Sequence, residues 1–205
     1  GKADPRWNEI AAKLHVPFDA AAQHHLHFDE SVAHDRDTWG GSSLPMLSLP
    51  ALDLPMSPQV RRNDYDAAIG PVLASSRDPN SMGLAPLSIA AATVGDQARA
   101  VTWLEKNFQG GVIKPPFDVR TETATNNTGY FVTAAAGFLQ NLIFGLSGLR
   151  IEDSGLNAAY APLLPPNWRS MTLRNIAFRG KRYDVTVDRA ADGKARLTRA
   201  AAAIR

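Results

Sequence analysis

Cysteine is absent from the 205 residues. That excludes a disulfide framework and any cysteine-ligated zinc or iron–sulfur centre. Cysteine-free chains occur in every compartment, so the absence does not fix one; a periplasmic or secreted setting is the expectation, ahead of a cytoplasmic one. An excess of one charge is also missing, with 22 basic against 20 acidic residues. The one dense basic stretch runs from Arg179 to Arg205, without the aromatic interleaving or the motif that nucleic-acid binding needs. The opening Gly-Lys-Ala-Asp-Pro has no apolar signal region and no domain-opening pattern. It reads as the middle of a larger fold. Neither a phosphate-cradling glycine loop nor a Gly-x-Ser-x-Gly nucleophile turn is present. No cofactor is expected.

What the chain does have is an apolar content of 44%, which places it among folded globular proteins. Residues 126–149 carry no charge. A membrane span needs about 20 predominantly apolar residues, and Thr133, Gln140, Asn141 and Ser147 interrupt this run. A buried core helix from about Gly129 to Phe144 is therefore expected, and no membrane partner.

Helix signals come in order along the first three quarters of the chain. Asp4-Pro5 is a helix start, followed by Trp7, Ile10, Ala11 and Leu14 at helical spacing. A short helix is expected within 20–32. The tract 40–58 is loop-like, with prolines at 45, 50, 55 and 58, but too rich in leucine and methionine for a solvated linker. Ser57-Pro58 opens another helix. Ser81 to Val94 is apolar and ends at Gly95; Asp96 then caps a helix from Gln97 to Phe108, with Ala98, Val101 and Leu104 on one face. After Gly148 the period changes. Leu149-Arg150-Ile151 is extended, and Met171-Leu173-Ile176-Phe178 and Tyr183-Val185-Val187 alternate. Asp192-Gly193 signals a hairpin into Ala195 to Thr198. The reading is mainly α with a β module: helices over 1–150, a small β domain over 151–205.

Chemistry concentrates in Pro116-Phe117-Asp118-Val119-Arg120-Thr121-Glu122-Thr123-Ala124-Thr125-Asn126-Asn127. Glu122 is a carboxylate in a polar, amide-rich loop before the uncharged helix. A helix N-terminus nearby favours anions and donates backbone hydrogens, so such a carboxylate could hold and activate a water. The plainer reading of the same spacing is a loop-ordering or capping glutamate. His24, His25, His27 and His34, with Asp29, Glu30 and Asp35, match no established zinc spacing, and no metal is expected. Asn126-Asn127-Thr128 fits the N-glycosylation pattern; beside this loop the match is read as accidental.

Several segments, in order, resemble glycoside hydrolase family 65. They are Trp7-Asn8-Glu9-Ile10-Ala11-Ala12-Lys13-Leu14-His15-Val16-Pro17-Phe18-Asp19, then His25-Leu26-His27-Phe28-Asp29, then Val60-Arg61-Arg62-Asn63-Asp64-Tyr65 with Gly70-Pro71. Pro116-Phe117 with Glu122, and Gly137-Phe138-Leu139-Gln140 with Gly145, Gly148 and Arg150-Ile151, stand in family order. Pro162-Leu163-Leu164-Pro165-Pro166-Asn167-Trp168 resembles the entry to the family's C-terminal β domain. The family includes acid trehalases, kojibiose hydrolases, the glucosidase acting on collagen-linked glucosylgalactose, and disaccharide phosphorylases.

The resemblance implies part of an (α/α)6 barrel followed by a small antiparallel β-sandwich. It implies inverting hydrolysis of an α-glucosidic disaccharide such as trehalose, with Glu122 as general base. Arg120, Thr121, Asn126, Asn127 and His27 are the candidate substrate-binding residues. The general acid belongs to a segment that family members carry upstream, so a tightly associated partner chain bearing it, in a heteromer with a large apolar interface, is expected. Phosphorolysis, or a carbohydrate-binding scaffold that has lost catalysis, are the alternatives. Three places depart from the family pattern: Gly41 and Ser42 stand where Lys-Gln is common, Arg120 where an aromatic is common, and Glu30-Ser31 where Gly-Tyr is preferred. Arg120, so close to Glu122, is expected to hold that carboxylate ionised and make it a weaker base.

Overall fold

A computed structural model describes residues 4–28, 52, 54–75, 79–109, 111–126 and 129–201. Helix α1 spans Pro5–Lys13, with the Asp4 side chain accepting from the Arg6 backbone N–H. It has the apolar stripe its sequence announces, but Trp7, Ile10 and Leu14 are all more than half exposed and no residue of the helix is buried. Strands β1 (Phe18–Asp19) and β2 (His24–His25) form a short antiparallel hairpin. Turn residues precede β2, so the helix expected within 20–32 does not form over 20–28, and the rest of that range is outside the described residues. Asp19 explains this locally: its carboxylate accepts from the backbone N–H groups of Ala21 and Ala22, a side-chain turn that competes with helix.

Three helices build the core. They are α2 (Pro58–Ala74), α3 (Ser81–Thr93) and α4 (Gln97–Gln109). Ser57 caps α2 through Val60 N–H, and Asn80 caps α3 through Gly83 N–H. In α3 every residue except Met82 and Thr93 is buried. Such all-round burial requires neighbours on every side, and α2, α4 and the later helix supply them. Tyr65, Leu84, Leu87, Trp103, Leu104, Leu146 and Leu163 lie in one apolar cluster. In α4, Ala100, Val101, Trp103 and Leu104 face inward, whereas Ala98 is exposed, against its expected place. The Tyr65 hydroxyl donates to Asp96 Oδ2 at 2.8 Å and ties α2 to the α3–α4 turn.

Helix α5 spans Val132–Gln140 and runs into a π-helical segment, Asn141–Leu146. The uncharged helix is present, but the expected burial is not. Ala134 is its one buried residue, while Val132 is 70% and Leu139 56% exposed. The sequence was apolar enough for a core helix; among the described residues one face of it stays exposed. No helix among the described residues is long and apolar enough to cross a membrane.

After Gly148 the chain is antiparallel β, as the alternation predicts. Strands β5 (Leu149–Glu152) and β6 (Gly155–Ala158) pair as a hairpin, and β7 (Ser170–Phe178), β8 (Lys181–Arg189) and β9 (Ala195–Ala201) form a meander in the order β7-β8-β9. A second apolar cluster holds Leu149, Leu156 and Val185, with Ile143 and Phe144 of the π-helical segment packed against it. The first cluster in turn takes in Leu163, Trp168 and Met171. Helical and β parts are thus stitched by side chains from both sides of residue 150. Gly148 needs to be glycine, because its φ is +67° and a Cβ there would lie 2.6 Å from the Tyr160 carbonyl oxygen.

Candidate active site

The loop carrying Glu122 grows out of a small hairpin. Strands β3 (Ile113–Lys114) and β4 (Val119–Arg120) pair antiparallel, and Thr121 N–H extends the pairing by donating to the Val112 carbonyl at 2.8 Å. Thr121 is 1% exposed. Its hydroxyl donates to the Val112 and Thr123 carbonyls at 3.2 and 2.8 Å, so this candidate sugar contact is occupied internally. Asn126 Oδ1 accepts from Thr123 N–H at 3.3 Å and closes the loop back on itself. Asn127 lies outside the described residues, as do Asp29, Glu30, Ser31, His34, Asp35, Gly41 and Ser42.

The helix N-terminus hydrogen-bonded to Thr121 and Glu122 belongs to α3, the most buried of the described helices. Ser81 N–H donates to the Glu122 carbonyl at 2.8 Å, and Ser81 Oγ donates to the Thr121 carbonyl at 2.7 Å. Glu122 is half-buried. Its carboxylate makes no hydrogen bond or ion pair among the described residues. A glutamate that capped a helix or ordered a loop would use its side chain, and here the backbone alone does the anchoring.

Arg120 goes elsewhere. Its Nη1 donates to both the carbonyl and Oδ1 of Asn107 in α4, and its guanidinium lies over the Phe138 ring at 5.1 Å. Burial pulls the guanidinium below its usual pKa. No ion pair joins Arg120 to Glu122 among the described residues, so the expected ionic hold on the carboxylate is not supported. Asn107 Nδ2 donates to the Ser81 carbonyl at 3.2 Å. Ser81 and Asn107, both fully buried, are the two residues that sequence reasoning passed over.

A cavity of about 450 Å³ opens beside the loop, lined by Lys114, Pro115, Val119, Thr121, Gly129 and Tyr130. Glu122 is next to Thr121 in sequence but is not among the lining residues. Phe117, in the β3–β4 turn, and Tyr130, at the cavity, present largely exposed rings. His27 is far from this loop in sequence, half-buried just after β2, the strand that packs on α2. Its neighbour His25 is fixed by Asp64 of α2, whose carboxylate accepts from the His25 backbone N–H at 2.7 Å and meets Nδ1 at 2.8 Å. Among the described residues, no three His, Asp or Glu side chains gather as a metal site would require.

Consecutive helices thus lead into an antiparallel β module, with Glu122 on the loop between α4 and α5. The family model for the glycosyl hydrolase family 65 C-terminal domain matches residues 149–192. The protein-glucosylgalactosylhydroxylysine glucosidase of Danio rerio is 29% identical over 187 residues, which cover 89% of this chain and 27% of that protein. The kojibiose hydrolase of Mucilaginibacter mallensis is 26% identical over 192 residues, 90% of this chain and 26% of its own. A solved structure named for kojibiose phosphorylase, from the human microbiome, superposes with a TM-score of 0.63 at 16% identity over 94% of this chain and 28% of its own, a likeness of fold. These matches support a likeness to the C-terminal portion of glycoside hydrolase family 65 proteins. The chain spans about a quarter of the length of these relatives.

Proposed function

We propose that this chain supplies the general-base side of an inverting α-glucoside hydrolase, with Glu122 as the base. One observation carries the reading. Glu122 is held through its backbone while its half-buried carboxylate has no partner among the described residues. In inverting hydrolysis a water adds to the anomeric carbon from the face opposite the leaving group. The base takes the water's proton, the glycosidic C–O bond breaks, and a carboxylic acid protonates the departing oxygen. The two carboxyls stand about 6.5–9.5 Å apart to admit the water. Glu122 fills the first role, and the acid comes from outside this chain. A carboxylate at this position suits a water and repels phosphate, which favours hydrolysis over phosphorolysis.

The relatives named for kojibiose and for glucosylgalactosylhydroxylysine support α-linked glucosyl disaccharides as the substrate class, with kojibiose and trehalose to be tried first. The uncovered apolar faces of α1 and α5 fit the same picture. Trp7, Ile10, Leu14, Val132 and Leu139 are exposed here, and the relatives are about four times longer. The occupant of those faces is the remaining helical part of the enzyme, which closes the (α/α)6 barrel and brings the general acid opposite Glu122.

The test is Glu122→Gln in the assembled enzyme, assayed on kojibiose and trehalose with and without phosphate. Loss of the base should lower kcat by about 10²–10⁴-fold with folding intact. Unchanged turnover by the variant would end the reading. Sugar release that requires phosphate would move the protein to the phosphorylases. Intact binding of disaccharide without turnover in the wild type would make it a scaffold.

A further inference from the structure

We propose that Ser81, supported by Asn107, is a positioning residue for Glu122; the inference rests on the assignment of Glu122 as the base. The two carbonyls flanking the Glu122 backbone N–H and α-carbon, those of Thr121 and Glu122, both accept hydrogen bonds from Ser81, at 2.7 and 2.8 Å. One residue therefore fixes two successive peptide planes, and with them the direction in which the Glu122 side chain leaves the backbone. Ser81 is the first residue of α3 and is 0% exposed. It moves only if the most buried of the described helices moves.

The circuit closes on the far side. Asn107 Nδ2 donates to the Ser81 carbonyl at 3.2 Å, Arg120 donates to Asn107, and Phe131 N–H donates to the Arg120 carbonyl at 2.9 Å. The loop thus leaves β4 and returns toward α5 with both its entry and its base fastened to α3 and α4. Arg120, where the family commonly has an aromatic, serves this frame from inside. A base needs such a frame because a misplacement of about 1 Å can cost about 100-fold in rate. Among the described residues the Glu122 carboxylate has no hydrogen bond of its own to aim it.

The experiment is Ser81→Ala in the assembled enzyme, with Asn107→Asp as the second variant and Glu122→Gln as reference. Ser81→Ala keeps the backbone N–H bond and removes the hydroxyl bond to Thr121. A kcat lower by about 10–100-fold, with KM within about threefold and circular dichroism unchanged, is the expected result. The pH–rate profile should shift or flatten on its acidic limb, because a base in altered surroundings titrates differently. Asn107→Asp, which keeps the acceptor for Arg120 and loses the donor to Ser81, should give a smaller fall in the same direction. A lower melting temperature with kcat and pH profile both unchanged in these variants would reduce the network to a structural one and overturn the proposal. Full activity in Glu122→Gln would instead remove the base assignment, a distinct failure visible without either network variant.

Discussion

Helices α3 and α5 have nearly the same character on paper. Both are uncharged, both are rich in alanine with a few larger apolar residues, and the two pack against each other. Yet α3 is buried along almost its whole length and α5 only at Ala134. Burial is a property of what surrounds an element and not of its composition. Among the described residues α3 has α2, α4 and α5 around it, whereas α5 has α3 on one side and an exposed face on the other. Composition says what a helix tolerates, and only the neighbours say what it receives.

The largest test of that contrast lies in the core. Leu87 of α3 is 0% exposed within the first apolar cluster. Leu87→Ala removes buried methylenes and leaves a cavity, so it should destabilise the chain by about 2–5 kcal/mol. Chemical denaturation of wild type and variant measures it; a loss below 1 kcal/mol, on the order of a surface change, would mean that α3 is less enclosed than described. A middling effect belongs to Ser88, whose hydroxyl donates to the Ala100 carbonyl at 2.6 Å and joins α3 to α4. Ser88→Ala deletes a buried hydrogen bond and should cost about 0.5–1.5 kcal/mol. The same denaturation series reports it, and a more stable variant would show that packing, not this bond, holds the pair together.

The same contrast marks what the sequence could and could not convey. Boundaries set by local chemistry were legible. Asp4-Pro5 and Ser57-Pro58 start helices, and Gly95, at φ +79°, ends α3 where the reading put it. Alternation found β7 and β8, and the three-residue step between Leu173 and Ile176 is a register shift in the β7–β8 ladder. Asp192-Gly193 turns β8 into β9. Relationships across the chain were not legible. Ser81 and Asn107 are far from Glu122 in sequence, and neither carries a local pattern that would link it to that residue. Nor does any periodicity reveal that Arg120 turns inward to Asn107 and Phe138. Glu122 itself stood out through the polarity of its loop. That its backbone is fastened to α3 became visible only in three dimensions.

The smallest expected effect is the most telling for the contrast. Leu139 is more than half exposed on the open side of α5. In this chain Leu139→Ala gives up little apolar contact, and alanine is the better helix former, so stability should change by no more than about 0.5 kcal/mol. In the assembled enzyme the same leucine would be covered. Burying it there is worth about 1.5–3 kcal/mol, and its removal should weaken the closed form to a comparable degree. Measuring the variant in both settings therefore separates two accounts of one residue. If Leu139→Ala is harmless in both, the open face of α5 is an ordinary surface and the barrel-closing role fails. If it is harmless alone and costly when assembled, the apolar character of α5 is explained by a neighbour that this chain does not itself contain.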